Sequence, residues 1–281
     1  MSIAGSFVNA VKAAERYGCT ALQIFTKNQR QWRARPFRPG EADEFRKAVR
    51  YAGLKSVVAH ATYLINLASP DPVLFDKSLK TFIEELKRSE ALGATHLVFH
   101  PGSHMGKGED EGLKRVAMAV KTAIYETRGL KVRLTIEITA GQGTNLGHKF
   151  EHIAYLLEAV GDEDRLAVCF DTCHAFAAGY DIRTPEAYEN TMALFDGIIG
   201  LKWLQVFHLN DSRGELASRI DRHIHLGYGR IGREGFRLIM QDDRFLHVPK
   251  IIETPKENNW DARNLSLLRR FWQEKYGGGH G

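Results

Sequence analysis

The chain has 281 residues, of which 43% are hydrophobic and 26% charged, so it is long enough for one large α/β barrel or two ordinary domains. Lysine and arginine outnumber the acids 39 to 34, a surplus of +5 that fits a polyanionic partner without demanding one. No apolar run approaches a membrane span, the opening MSIAGSFVNAVKAAERYG lacks the pattern of a secretory leader, and three cysteines form no disulfide framework; a cytoplasmic, reduced protein is expected.

Taken in chain order, apolar β-branched runs alternate with amphipathic stretches. A first helix is expected near 6–17, then strands at 21–27, 56–61, 96–101, 131–139, 166–171, 204–209 and 250–253. Helical patterns fall between them at 72–92, 109–127, 149–160, 185–199 and 262–276. Repeated βα units without a Pro/Gly/Ser-rich linker predict a parallel sheet in a single domain over 1–276, with a flexible Gly-rich tail at 277–281. Seven strands suit an open doubly wound sheet; a closed (β/α)8 TIM barrel wants eight.

The strand ends bear on that choice. SVVAH ends on His60, HLVFH on His100, LAVCFD on Asp171, LQVFH on His208 and KIIE on Glu253, and Glu137 lies late in the fourth strand. Taken singly, each is more often a satisfied core histidine or a loop cap. Six strand-terminal donors on one barrel face are different, because buried acids need a neutralising cation. Mixed imidazole and carboxylate donors favour zinc or manganese over calcium or magnesium. His174 follows Asp171 by three residues. Asp221 and His223 have i, i+2 spacing, which in an extended segment directs both side chains to one side. Three other patterns count for less. The GxGxxG match at 227–232 follows no buried strand. HPGSH at 100–104 cannot form the helix that an HxxxH metal site requires. Cys169 and Cys173 read as core thiols.

The segments FTKNQRQW (25–32), YLIN (63–66), FHPGSH (99–104), TAGQGTNLG (139–147), FDTCHAFAAGYD (170–181), HLNDS (208–212), DRHIHLG (221–227) and IETP (252–255) resemble the endonuclease IV family of apurinic/apyrimidinic endonucleases along essentially the whole chain. The resemblance implies a (β/α)8 TIM barrel holding three zinc ions, with manganese an alternative at one site. By motif position, His60, His100 and Glu137 would hold the first metal. Glu137 would also reach the second, completed by Asp171, His208 and Glu253, while His174, Asp221 and His223 would hold the third. It implies hydrolysis of the phosphodiester 5′ of an abasic site, leaving 3′-hydroxyl and 5′-deoxyribose phosphate ends, together with cleaning of blocked 3′ ends. Double-stranded DNA would be the partner of a monomer that meets no membrane, with Arg30, Tyr63 and Leu64 entering the duplex at the lesion.

Three departures accompany the match. The family's first strand would precede Met1, so that strand is expected to be truncated here. Ile138 stands where the family usually has Asn, removing a side-chain hydrogen bond near the metals, and Tyr228 occupies a position that is commonly Glu or Lys. Two other functions remain compatible with the residues alone: a metal-dependent sugar isomerase or epimerase on the same type of barrel, and a non-catalytic damaged-DNA-binding protein.

Overall fold

A computed structural model describes residues 1–277, so apart from Gly277 the expected Gly-rich tail lies outside the described residues. The chain divides into two compact units. One comprises Met1–Glu137, Thr144–Gly147 and His152–Val168; the other comprises Ile138–Gly143, His148–Glu151 and the chain from Cys169 onward.

In the first unit, strands β1 (Ala21–Phe25), β2 (Ser56–His60), β3 (His96–Phe99) and β4 (Arg133–Glu137) pair in chain order, all parallel. The start of β5 (Leu166–Asp171) continues the series, with the Leu134 N–H donating to the Arg165 carbonyl. Helix α1 (Phe7–Arg16) precedes β1, and α2 (Glu41–Tyr51), α3 (Pro72–Ala91) and α4 (Glu109–Glu126) run between the strands. Parallel strands need such crossovers, and a sheet covered by helices buries both of its faces. Val57, Val58, Ala59, Leu97 and Val98 are accordingly sealed from solvent, with Phe82 and Leu86 of α3 and Val116 and Val120 of α4. Helix α3 starts where its sequence dictates: the Asp71 carboxylate accepts from the N–H groups of Val73 and Leu74, and Pro72 occupies the first turn.

In the second unit, β5 ends, β6 (Leu204–His208) follows, and β9 (Lys250–Ile251) pairs with β6 in parallel. Helix α5 (Phe150–Val160), most of which belongs to the first unit, precedes β5, and α6 (Thr172–Ala178), α7 (Pro185–Ile198), α8 (Gly232–Met240) and α9 (Trp260–Tyr276) lie among the later elements. A short antiparallel ribbon, β7 (Asp211–Ser212) with β8 (His223–Ile224), is an addition to the expected elements. Phenylalanines build this core: the Phe170 ring lies 5.8 Å from Phe207 and Phe207 lies 5.2 Å from Phe245.

Strand β5 has the expected bounds, the other strands are shorter than expected at their ends, and β9 stops two residues before Glu253. Helices α2, α6 and α8 also went unexpected. Among the described residues, no helix is long and apolar enough to cross a membrane.

Candidate metal centre

In a parallel array the strands run one way, so their C-terminal residues gather at one edge. In the first unit this brings His60, His100 and Glu137 together, each offering a donor atom within 4.8 Å of the others. His60 Nε2 and His100 Nε2 each lie 3.1 Å from the same Glu137 oxygen, and Glu137 is completely buried. Beside them opens a cavity of about 250 Å³, lined in part by Thr62, Tyr63, Asn66, Ser103 and Asn145.

The second unit gathers the rest. Asp171, His208 and Glu253 present donor atoms within 4.8 Å of one another, as do Asp171, His174 and His223. His208 Nδ1 is 3.3 Å from a Glu253 oxygen and 3.8 Å from Asp171. Asp221 lies 3.3 Å from His174 Nε2 and 3.5 Å from His223 Nε2, as the i, i+2 spacing anticipates. The pairing of β7 with β8 makes the backbone extended from His223, two residues after Asp221.

Three imidazoles are oriented by main-chain oxygens. His60 Nδ1 is 2.7 Å from the Ala61 carbonyl, His174 Nδ1 is 3.0 Å from that of Ile138, and His223 Nδ1 is 3.4 Å from that of Glu253. A carbonyl only accepts, so in the neutral ring the proton sits on Nδ1 and Nε2 carries a lone pair. His60 Nε2 then faces a carboxylate oxygen, and His174 Nε2 faces His223 Nε2 at 3.4 Å. Lone pairs opposed at such distances repel. A cation between them turns the arrangement into coordination, and N/O donor sets of this kind suit zinc. By this test the residues fit a divalent metal.

Residues 11–272 match the family described as xylose isomerase-like TIM barrel. The chain is 48% identical over 275 residues to the probable endonuclease 4 of Chloroflexus aurantiacus, covering 97% of this chain and 96% of that one. The crystal structure of endonuclease IV from Thermus thermophilus superposes with a TM-score of 0.87 at 37% identity, over 98% of this chain and 97% of the other. The chain belongs to the endonuclease IV family.

As a member of that family it is an endonuclease on a TIM barrel, so the expected fold holds. A D-tagatose 3-epimerase-like protein aligns with a TM-score of 0.73 over 97% of this chain and 96% of its own, but at 16% identity it shares the fold alone. The residues that the resemblance assigns to lesion recognition lie in loops of the first unit. Arg30 and Tyr63 are exposed and Leu64 is half-buried; Tyr63 is 60% exposed, too open for a packing residue. Its ring nevertheless stays within 6.2 Å of those of Phe25, His60 and His100.

Several determinants in this endonuclease IV-family chain escaped the sequence reading. Asn210, fully buried, donates to Asp171 at 2.6 Å and accepts the Glu253 N–H at 2.7 Å, tying two donors together. Its place in HLNDS, two residues after His208, was the available signal. The Gln142 side chain accepts the Asp221 N–H. Ile138, read as a lost hydrogen bond, is the residue whose carbonyl orients His174. The GxGxxG turn is no ligand cradle, because its amides are taken: buried Asp211 accepts N–H groups from Gly227, Gly229 and Ile231 as well as Ser212. Cys173 remains a core thiol, pushed by burial up to about 12.

Proposed function

We propose that this endonuclease hydrolyses the phosphodiester 5′ of abasic sites in double-stranded DNA, leaving 3′-hydroxyl and 5′-deoxyribose phosphate ends, and removes blocking groups from 3′ ends. It acts as a cytoplasmic monomer with three zinc ions held by His60, His100 and Glu137, by Asp171, His208 and Glu253, and by His174, Asp221 and His223. The observation carrying this reading is the opposed donor geometry, with histidine nitrogens set against a carboxylate in the first unit and two histidine lone pairs set against each other in the second. The family's sugar-directed neighbours share only the fold, whereas relatives near half identity over the whole chain are named as endonucleases.

Zinc bound at such a site supplies Lewis acidity, polarising phosphoryl oxygens and lowering the pKa of water. The chain's own residues supply position. Main-chain oxygens at 61, 138 and 253 hold three imidazoles in one tautomer, so little reorganisation accompanies reaction. Asp171 is fixed twice, by Asn210 and by the His174 N–H that it accepts at the start of α6. Exposed Arg30, with Tyr63 and Leu64, enters the duplex at the lesion and fills the space left by the missing base. A nucleotide without its base has lost stacking and pairing, so extruding it costs less than extruding an intact one.

The test is direct. The purified protein, supplied with zinc, is incubated with a duplex carrying one abasic analogue and with an intact control. A single nick 5′ of the analogue, leaving an end that a polymerase extends, is expected. Equal cutting of the intact duplex, or an end that cannot be extended, would overturn the reading.

A further inference from the structure

The second unit has another concave feature, outside the donor clusters. A pocket of about 340 Å³ lies against α8 and α9, and Leu226, Tyr228, Arg233, Trp260, Arg263 and Arg270 line it. No aspartate or glutamate is among its lining residues. Arg263 and Arg270 are seven residues apart on α9, two turns along one face. Arg233 comes from the first turn of α8 and is held by close packing on Gly227, where a Cβ would sit 2.6 Å from its Cγ.

The three guanidinium groups are not neutralised. Other arginines nearby have acids: Arg237 pairs with Glu234, and Arg244 with Asp242 and Glu189. Arg233, Arg263 and Arg270 make no ion pair with a described residue, and all three are exposed. Arg263 is instead held 4.8 Å from the centre of the Trp260 ring. The indole in turn stacks on His225 at 4.0 Å and 7°, and Tyr228 meets its edge at 4.9 Å. A guanidinium resting on an aromatic face keeps its charge while losing rotamer freedom, which prepares it for a phosphate. Like charges gathered without an acidic partner work against folding.

The pocket also shares its scaffold with the donors. Tyr228 is five residues beyond His223 and Trp260 seven beyond Glu253. Buried Asn264 joins the two loops, donating to Thr254 Oγ1 at 2.9 Å and accepting the Leu226 N–H at 3.2 Å. Five extended residues span at most about 18 Å, roughly five base-pair steps of a duplex.

We infer that this arginine-lined pocket is an auxiliary anchor for the phosphate backbone of substrate DNA, engaging phosphates a few nucleotides from the cleaved bond. The inference rests on the proposed action on DNA. It is tested with the zinc-loaded protein and the Arg233→Gln/Arg270→Gln variant, using a long duplex with a central abasic analogue and one trimmed to a few base pairs on either side. On the long duplex the variant should bind about tenfold more weakly at 0.1 M salt. The slope of log K against log salt should fall by about two, near 0.9 for each phosphate that the protein no longer neutralises. Binding and cleavage of the trimmed duplex, and zinc content, should match the parent. Equal slopes and affinities on the long duplex overturn the anchor while leaving the endonuclease reading intact. A variant impaired equally on both duplexes overturns it too, since the arginines would then act at the reacting site. A parent chain that ignores abasic DNA altogether overturns both.

Discussion

Asp211 shows how much one side chain can organise. Four backbone N–H groups converge on its two oxygens at 2.8 to 3.0 Å, fixing the turn from Gly227 to Ile231. Burial pushes its carboxyl up, while those amides pull it the other way. Asp211→Ala should cost on the order of 3 kcal/mol, because it orphans several buried donors at once; urea unfolding of the metal-free protein measures this. Lys250 gives a pH signature. Its ammonium donates to the Phe245 and Val248 carbonyls, but burial lowers its pKa to about 8. Unfolding restores the usual value near 10.5, so between these limits the unfolded chain binds the extra proton and stability rises with pH. Below pH 8 the folded protein bears the full cost of the charge. Lys250→Met should therefore stabilise by on the order of 2 kcal/mol at pH 7, with the gain shrinking toward pH 10. An increment constant across that range would contradict the assignment.

At the scale of elements, β5 and α6 meet at one residue with two tasks. Asp171 closes the strand and caps the helix, accepting the His174 N–H at 2.9 Å through Oδ1. Asp171→Asn keeps a capping oxygen but turns an amide donor toward the Asn210 donor, so it should lose most of its zinc affinity and the Asn210 hydrogen bond while the cap remains. Asp171→Ala should lose the affinity and a further ~1 kcal/mol from the missing cap. Melting curves recorded with and without zinc separate the two effects. Elements of this kind mark the limit of what sequence made legible. Strands with β-branched runs ending on His, Asp or Glu were readable because periodicity and donor type coincide there. Helix α6 was not, since its seven residues, starting directly after Asp171, are too few to show an amphipathic period. Helix α2 buries little apolar surface beyond Phe45, and α8 opens GREG, with two glycines in its first turn. The nine donor residues could be named from the motifs, but Asn210, Gln142 and the carbonyl of Ile138 matter through proximity across long stretches of chain.

At the scale of the molecule, buried acids make folding and metal loading interdependent. Glu137 and Asp171 are fully buried, and His60, His174 and His208 nearly so. Removing the metal takes away a cation that only the folded chain gathers ligands for, so exhaustive chelation should lower the melting temperature by several degrees or more, roughly 2–4 °C per kcal/mol for a chain of this size. Zinc should restore it and magnesium should not. An unshifted melt after verified metal removal would mean that the clusters hold no structural cation. The main-chain anchoring of the imidazoles carries an evolutionary consequence. The acceptor that orients His60 belongs to the backbone of Ala61, and the one that orients His174 to the backbone of Ile138. Every amino acid supplies that oxygen. Lineages can therefore exchange side chains at 61 and 138, within the limits of the space available, without disturbing either ring, and a saturation scan should find these positions far more permissive than the histidines they hold.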